Sequence, residues 1–75
     1  MWVIDQKKNS IINLNQCVYI GFYDYGKATI EVGTPTANII VLGEFKDKTH
    51  ANEIFELLLS SIGRGDNLFV MPEEK

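Results

Sequence analysis

The chain has 75 residues, 45% of them apolar and 23% charged, with a formal net charge of −3. A domain of this length buries roughly 60 to 65% of its unfolded surface, so its stability margin is thin and a further support is expected. A single cysteine excludes an internal disulfide, a single histidine argues against a metal cluster, and seven scattered basic residues against ten acidic ones leave no stripe for neutralising phosphates. Self-association is the support that remains.

Trp2, Val3 and Ile4 are β-formers, and the polar residues from Asp5 to Ser10 follow them as a turn. Ile11, Ile12 and Leu14 make a short second apolar segment, after which Asn15-Gln16 turns the chain again. In "CVYIGFYDY" the alternation places Val18, Ile20 and Phe22 on one face as core, with Cys17, Tyr19, Gly21, Tyr23 and Tyr25 on the other. The turn Asp24-Tyr25-Gly26-Lys27 and the segment "ATIEV" complete a hairpin. Pro35 breaks the chain within Gly33-Thr34-Pro35-Thr36, and "NIIVLGEF" then supplies a near-continuous apolar run from Ile39 to Leu42, the pattern of a strand covered on both sides or a central strand under a helix. Gly43 marks a bulge or a close approach of another backbone.

Asp47 is a good N-cap for a helix from about Lys48 to Ile62. Ala51, Ile54, Phe55, Leu58, Leu59 and Ile62 share one broad face of it, with Gly63 placed to end it in a left-handed conformation. Leu57 lies off that stripe, and reads either as a boundary leucine partly covered by a strand or as a contact with a second subunit. Arg64-Gly65-Asp66 is an Arg-Gly-Asp tripeptide; here it reads as the hinge that returns "LFVMP" to the sheet, with Arg64 favourable at the negative end of the helix. The fold class is therefore α+β: a small antiparallel sheet of about five to six strands, one C-terminal helix packed on it, and a short last strand, all within one domain over residues 1–75.

Few residues offer chemistry. Cys17 and His50 are formally a nucleophile and a base, but no third residue orients them, and the start of a helix disfavours an imidazolium. The glycines around Arg64 follow a helix rather than precede one, the reverse of a phosphate-binding loop. Neither catalysis, a metal nor a cofactor is expected. The opening residues lack the basic start and apolar run of a secretory leader, and no apolar run approaches the ~20 residues that span a bilayer, so a cytoplasmic chain without membrane contact is expected. Cys17 is then a reduced thiol that packs as a small apolar residue.

Tyr19, Tyr23 and Tyr25 form the surface candidate, because aromatic faces stack bases or anchor proteins. With no basic residues interleaved, nucleic acid is not expected there. The alternative is that the three rings merely cover the second face of a small sheet or lie under the helix, hydroxyls in solvent.

The segments "MWVIDQ", "SIINLNQ", "LGEFKDKTHANEIFELL" and "LFVMPEE" together resemble short uncharacterised proteins encoded by phages and prophages of Firmicutes. The resemblance covers both ends and the helix, not the region from about Tyr23 to Asn38. It implies a phage or prophage accessory protein in the host cytoplasm and carries over no catalytic residue. With the composition, it gives the expectation of a non-enzymatic homo-oligomer acting by protein binding, its partner surface drawn from Tyr19, Tyr23, Tyr25 and Leu57. The other expectation is a sponge or inhibitor of a host defence component, binding a small molecule or host protein in a pocket built by an oligomer interface.

Overall fold

The computed structural model describes residues 1–74. Its six strands are β1 (Trp2–Ile4), β2 (Ile11–Asn13), β3 (Tyr19–Asp24), β4 (Ala28–Gly33), β5 (Ile39–Phe45) and β6 (Leu68–Val70), with a 3-10 turn at Leu14–Gln16 and one helix, α1 (Lys48–Arg64), before the last strand. The α+β class read from the sequence is the observed one. The strands divide into two three-stranded sheets, β2-β1-β6 and β3-β4-β5, and β6 lies parallel to β1 where a single antiparallel sheet was expected. β1, β2 and β6 are three residues each and pair with one another rather than with the longer strands of the meander.

The cap at Asp47 forms as predicted, its carboxylate accepting from the Thr49 amide at 2.9 Å. The helix continues past Gly63, and the left-handed residue is Gly65 (φ 75°). The Gly65 amide donates to the Ile62 carbonyl and the Asp66 amide to the Ser61 carbonyl, at 3.0 and 3.1 Å, the two bonds of a Schellman ending. Side chains fix that later stop. The Ser61 hydroxyl and the Arg64 guanidinium both donate to Asp66 Oδ2, at 2.7 and 2.8 Å, so the tripeptide is a closed hinge. These bonds, the Ser61 hydroxyl foremost, hold the Asp66 carboxyl below its ordinary value.

Ala51, Ile54 and Leu58 of α1 pack on the inner face of β3-β4-β5, where Ala28, Ile30 and Val32 of β4 are buried between Ile20 and Phe22 on one side and Ile40 and Phe45 on the other. Val3, Ile12 and Met71 bring the first sheet into the same core. Leu59 and Ile62 were expected in the buried stripe but stay exposed; Ser61 is buried instead, drawn in by its bond to Asp66. Val18 is also exposed: it precedes β3, in the rim of an open cleft beside Ile62, where the helix no longer covers the sheet.

β5 is an edge strand covered on one side only: the central strand under the helix is β4, and the expectation of two covered faces fails for Ile39 and Val41, both exposed. Between Val41 and Gly43 the pairing with β4 skips Leu42, a bulge that turns Leu42 and Gly43 toward the core. A Cβ on Gly43 would stand 3.1 Å from the side chains of Met71 and Phe45, so of the two expectations for this glycine the bulge is the one that forms, and what closes on it is side chain rather than another backbone.

One clamp was not anticipated. The Gln6 amide N–H donates to the Leu42 carbonyl at 2.8 Å, serving the bulge. Its side-chain Oε1 accepts from the Glu44 amide at 2.9 Å, while Nε2 donates to the Glu44 carbonyl at 3.0 Å and to the Pro72 carbonyl at 3.3 Å. A single carboxamide thus pairs with the edge of β5 as a neighbouring strand would, and fastens one sheet to the other.

Candidate functional site

The face of β3-β4-β5 turned away from α1 carries Tyr19 and Tyr23 from β3, Thr29 and Glu31 from β4, and Ile39, Val41 and Glu44 from β5. Tyr25, in the turn after β3, joins them: its ring stacks on Tyr23 with centroids 5.7 Å apart and planes 7° from parallel. The tyrosines therefore gather on one face as the alternation predicts, and none lies under the helix. Two glycines make room for them. A Cβ on Gly21 would come within 2.5 Å of the Tyr23 ring, and one on Gly33 within 2.0 Å of the Tyr19 ring, so both rings lean flat across bare backbone.

Beneath these rings sits a carboxylate. Glu31 is 5% exposed, and its Oε2 accepts from the Thr29 hydroxyl at 3.0 Å. Tyr25, 67% exposed, has its hydroxyl pushed above the ordinary phenol value by local loss of water, then by the charge of Glu31 and by Tyr23 and Tyr19. In the sequence Glu31 is simply one of the polar residues that alternate with Ala28, Ile30 and Val32 in "ATIEV". Its neighbours across the sheet are Gly21 of β3, ten residues away in the chain and overlain by the Tyr23 ring, and Val41 of β5.

Leu57 is not part of this face. It is exposed on α1, across the sheet from the tyrosines, on the helix flank that also holds Ser61 and so turns toward the hinge.

The larger apolar surface belongs to the first sheet. Val3, Ile12 and Phe69 are in register and face the core, which leaves Trp2, Ile4, Ile11, Leu68 and Val70 together on the outer face. Trp2 is 47% exposed, Ile11 59%, Leu68 49% and Val70 45%, with no charged residue among them. At about half exposure these side chains present on the order of 400 Å² of apolar surface, the scale at which an uncovered patch marks an interaction site. Alternation within three-residue strands is too short a signal to have shown it.

Cys17 and His50 are not brought together. Cys17 lines an apolar cleft of about 230 Å³ with Ile62, near the end of the helix, while His50 packs edge-on against Phe45 in its first turn. At ~1.5 Å per residue, the twelve residues between His50 and Ile62 span about 18 Å. Cys17 Sγ rests 3.6 Å from the Asn13 carbonyl, and burial pushes the thiol above its ordinary value, away from the reactive thiolate. Among the described residues no group of three or more His, Cys, Asp or Glu is arranged to hold a metal ion, and no helix is long and apolar enough to cross a membrane. No family model matches the chain, and no curated protein or solved structure matches it.

Proposed function

We propose that the protein is a non-enzymatic binding protein that works as a homo-oligomer, an accessory protein of a phage or prophage in the host cytoplasm. The phage origin rests on the resemblance at the two ends and the helix. The observation that carries the binding reading is the outer face of β2-β1-β6, where Trp2, Ile11, Leu68 and Val70 stand together half exposed.

A two-fold axis through this face sets it against its own copy, sheet on sheet, with the apolar centre of both subunits removed from water. Its ~400 Å² is about half the ~800 Å² that each partner contributes to a standard interface, and the polar surroundings supply a rim of the remainder. Oligomerisation would also support a small core that has neither disulfide nor, by composition, many metal ligands.

Light scattering tests the reading. A dimer has twice the 8.5 kDa mass of the chain. Ile11→Lys and Leu68→Glu, each at an exposed site, are expected to return it to the monomer with an unchanged circular dichroism spectrum. A wild-type monomer at high micromolar concentration would remove the oligomer. Dissociation by Leu57→Asp, with no effect of the two sheet variants, would move the interface to the helix. The alternative, a sponge or inhibitor of a host defence component, has the cleft between Met1, Leu14, Ile20 and Ile62 as its small-molecule site. Thermal-shift screening against nucleotides separates it, since a ligand of the native state raises the melting temperature.

A further inference from the structure

Glu31 occupies a position that ordinarily demands a counter-charge. It lies on the central strand of its sheet, 5% exposed, and among the described residues its one protein donor is the neutral Thr29 hydroxyl. A carboxylate removed from water is stable when several donors or a cation replace its hydration. Among the described residues the ion pairs go elsewhere: Lys8 to Glu73, Lys27 to Glu44, Lys48 to Asp24 and Arg64 to Asp66. Lys27, in the turn just before β4, is turned to Glu44 at 4.0 Å.

The second oxygen has a way out. Among the described residues no buried side-chain oxygen is both sealed from solvent and without a partner, so Oε1 of Glu31, which accepts no bond from the protein, reaches the surface. What surrounds that opening is aromatic and apolar. Tyr23 and Tyr25 stack on one side, Tyr19 leans across Gly33 on another, and Val41, opposite Glu31 in register, borders the third.

The geometry points to a recognition site for an arginine side chain of a partner protein, with the guanidinium stacked on the tyrosine rings and one of its N–H groups donating to Glu31 Oε1. A guanidinium suits the site better than an ammonium. It is planar, less strongly hydrated, and stacks on aromatic faces while still donating in its own plane, and a single open oxygen asks for no more than one or two such bonds. The rest of the partner meets Ile39 and Val41, exposed beside the rings, so a charged centre is enclosed by groups that exclude water. The same carboxylate repels phosphate, which separates this tyrosine face from the base-stacking platforms of nucleic-acid binders, where cations accompany the rings. The proposal rests on the protein-binding reading but not on self-association, because this face lies on the other sheet from the dimer patch.

The test is a titration of the full-length protein, followed by 1H–15N NMR, with N-acetyl-arginine methylamide and with its uncharged citrulline counterpart. The arginine probe is expected to shift the amides of Gly21, Tyr23, Thr29, Glu31 and Val41 in a saturable way, with citrulline leaving them nearly unmoved. Glu31→Gln keeps an acceptor for Thr29 and is expected to weaken binding about fivefold; Tyr25→Ala, at a position the fold leaves exposed, is expected to weaken it by a similar factor. Equal shifts from citrulline, undiminished binding by Glu31→Gln in a folded sample, or saturable shifts of the same amides by a single-stranded oligonucleotide would each overturn the site. Ile11→Lys is expected to bind the probe as the wild type does, so loss of the dimer and loss of this site are read separately.

Discussion

Replacing Gln6 with alanine isolates the contact that joins the two sheets. The substitution deletes three hydrogen bonds, two with the Glu44 backbone and one with the Pro72 carbonyl, and leaves the Gln6 amide to serve the bulge at Leu42. A neutral hydrogen bond contributes ~0.5 to 1.5 kcal/mol net, and water can reach the Glu44 backbone once the carboxamide is gone, so the expected loss is about 1 to 2 kcal/mol. Gln6→Glu is the sharper perturbation. It keeps an acceptor for the Glu44 amide but turns a second oxygen toward the Glu44 and Pro72 carbonyls, and is expected to cost more than alanine. Urea unfolding followed by tryptophan fluorescence measures both, with a slope near 1 kcal/mol/M for a chain of this size. The midpoint should then fall by about 1 to 2 M for Gln6→Ala. A midpoint within ~0.3 M of wild type, or Gln6→Glu as stable as wild type, would refute the view that one carboxamide fastens the sheets.

Two further outcomes are expected. Ala37 holds a left-handed conformation (φ 65°) in the turn between β4 and β5, which costs an L-residue ~1 to 2 kcal/mol; Ala37→Gly should raise stability by about 0.5 kcal/mol after the added freedom of the unfolded chain is counted. Asp66 titrates below the ordinary carboxyl value of 3.8, so what it adds to stability is complete above that value and is lost as the pH falls through its lower folded value. Thermal melts of wild type and Asp66→Asn should therefore converge as the pH is lowered toward about 2, and a gap that stays constant would show that the hinge bonds do not depend on the charge.

How far the chain discloses itself depends on the range of the interactions. The helix start, the hairpin and the bulge near Gly43 are local, and Asp47, Gly26 and Gly43 announce them. The tyrosine face follows from alternation in β3 because that strand is six residues long. The pairing of β1 with β6 joins Trp2 to Leu68 and leaves no local trace, so neither the second sheet nor its apolar outer face could be read. The end of the helix was misplaced because Gly63 and Gly65 are equally suited to it on propensity; Ser61 and Asp66 decide between them through a bond that exists only once the hinge is folded. Glu31 escaped for a related reason, its neighbours across the sheet being supplied by other strands.

The β1–β6 pairing also orders events during synthesis. β3, β4, β5 and α1 are consecutive and can assemble from neighbouring contacts as they leave the ribosome, whereas β1, made first, waits with one edge unpaired until Leu68 to Val70 emerge. Throughout that interval Trp2 and Ile4 offer open backbone to any passing strand. A chain halted before β6 would thus leave that edge of β1 open and also lack Met71, which is fully buried in the core, so the few residues lost carry both an edge partner and a core side chain.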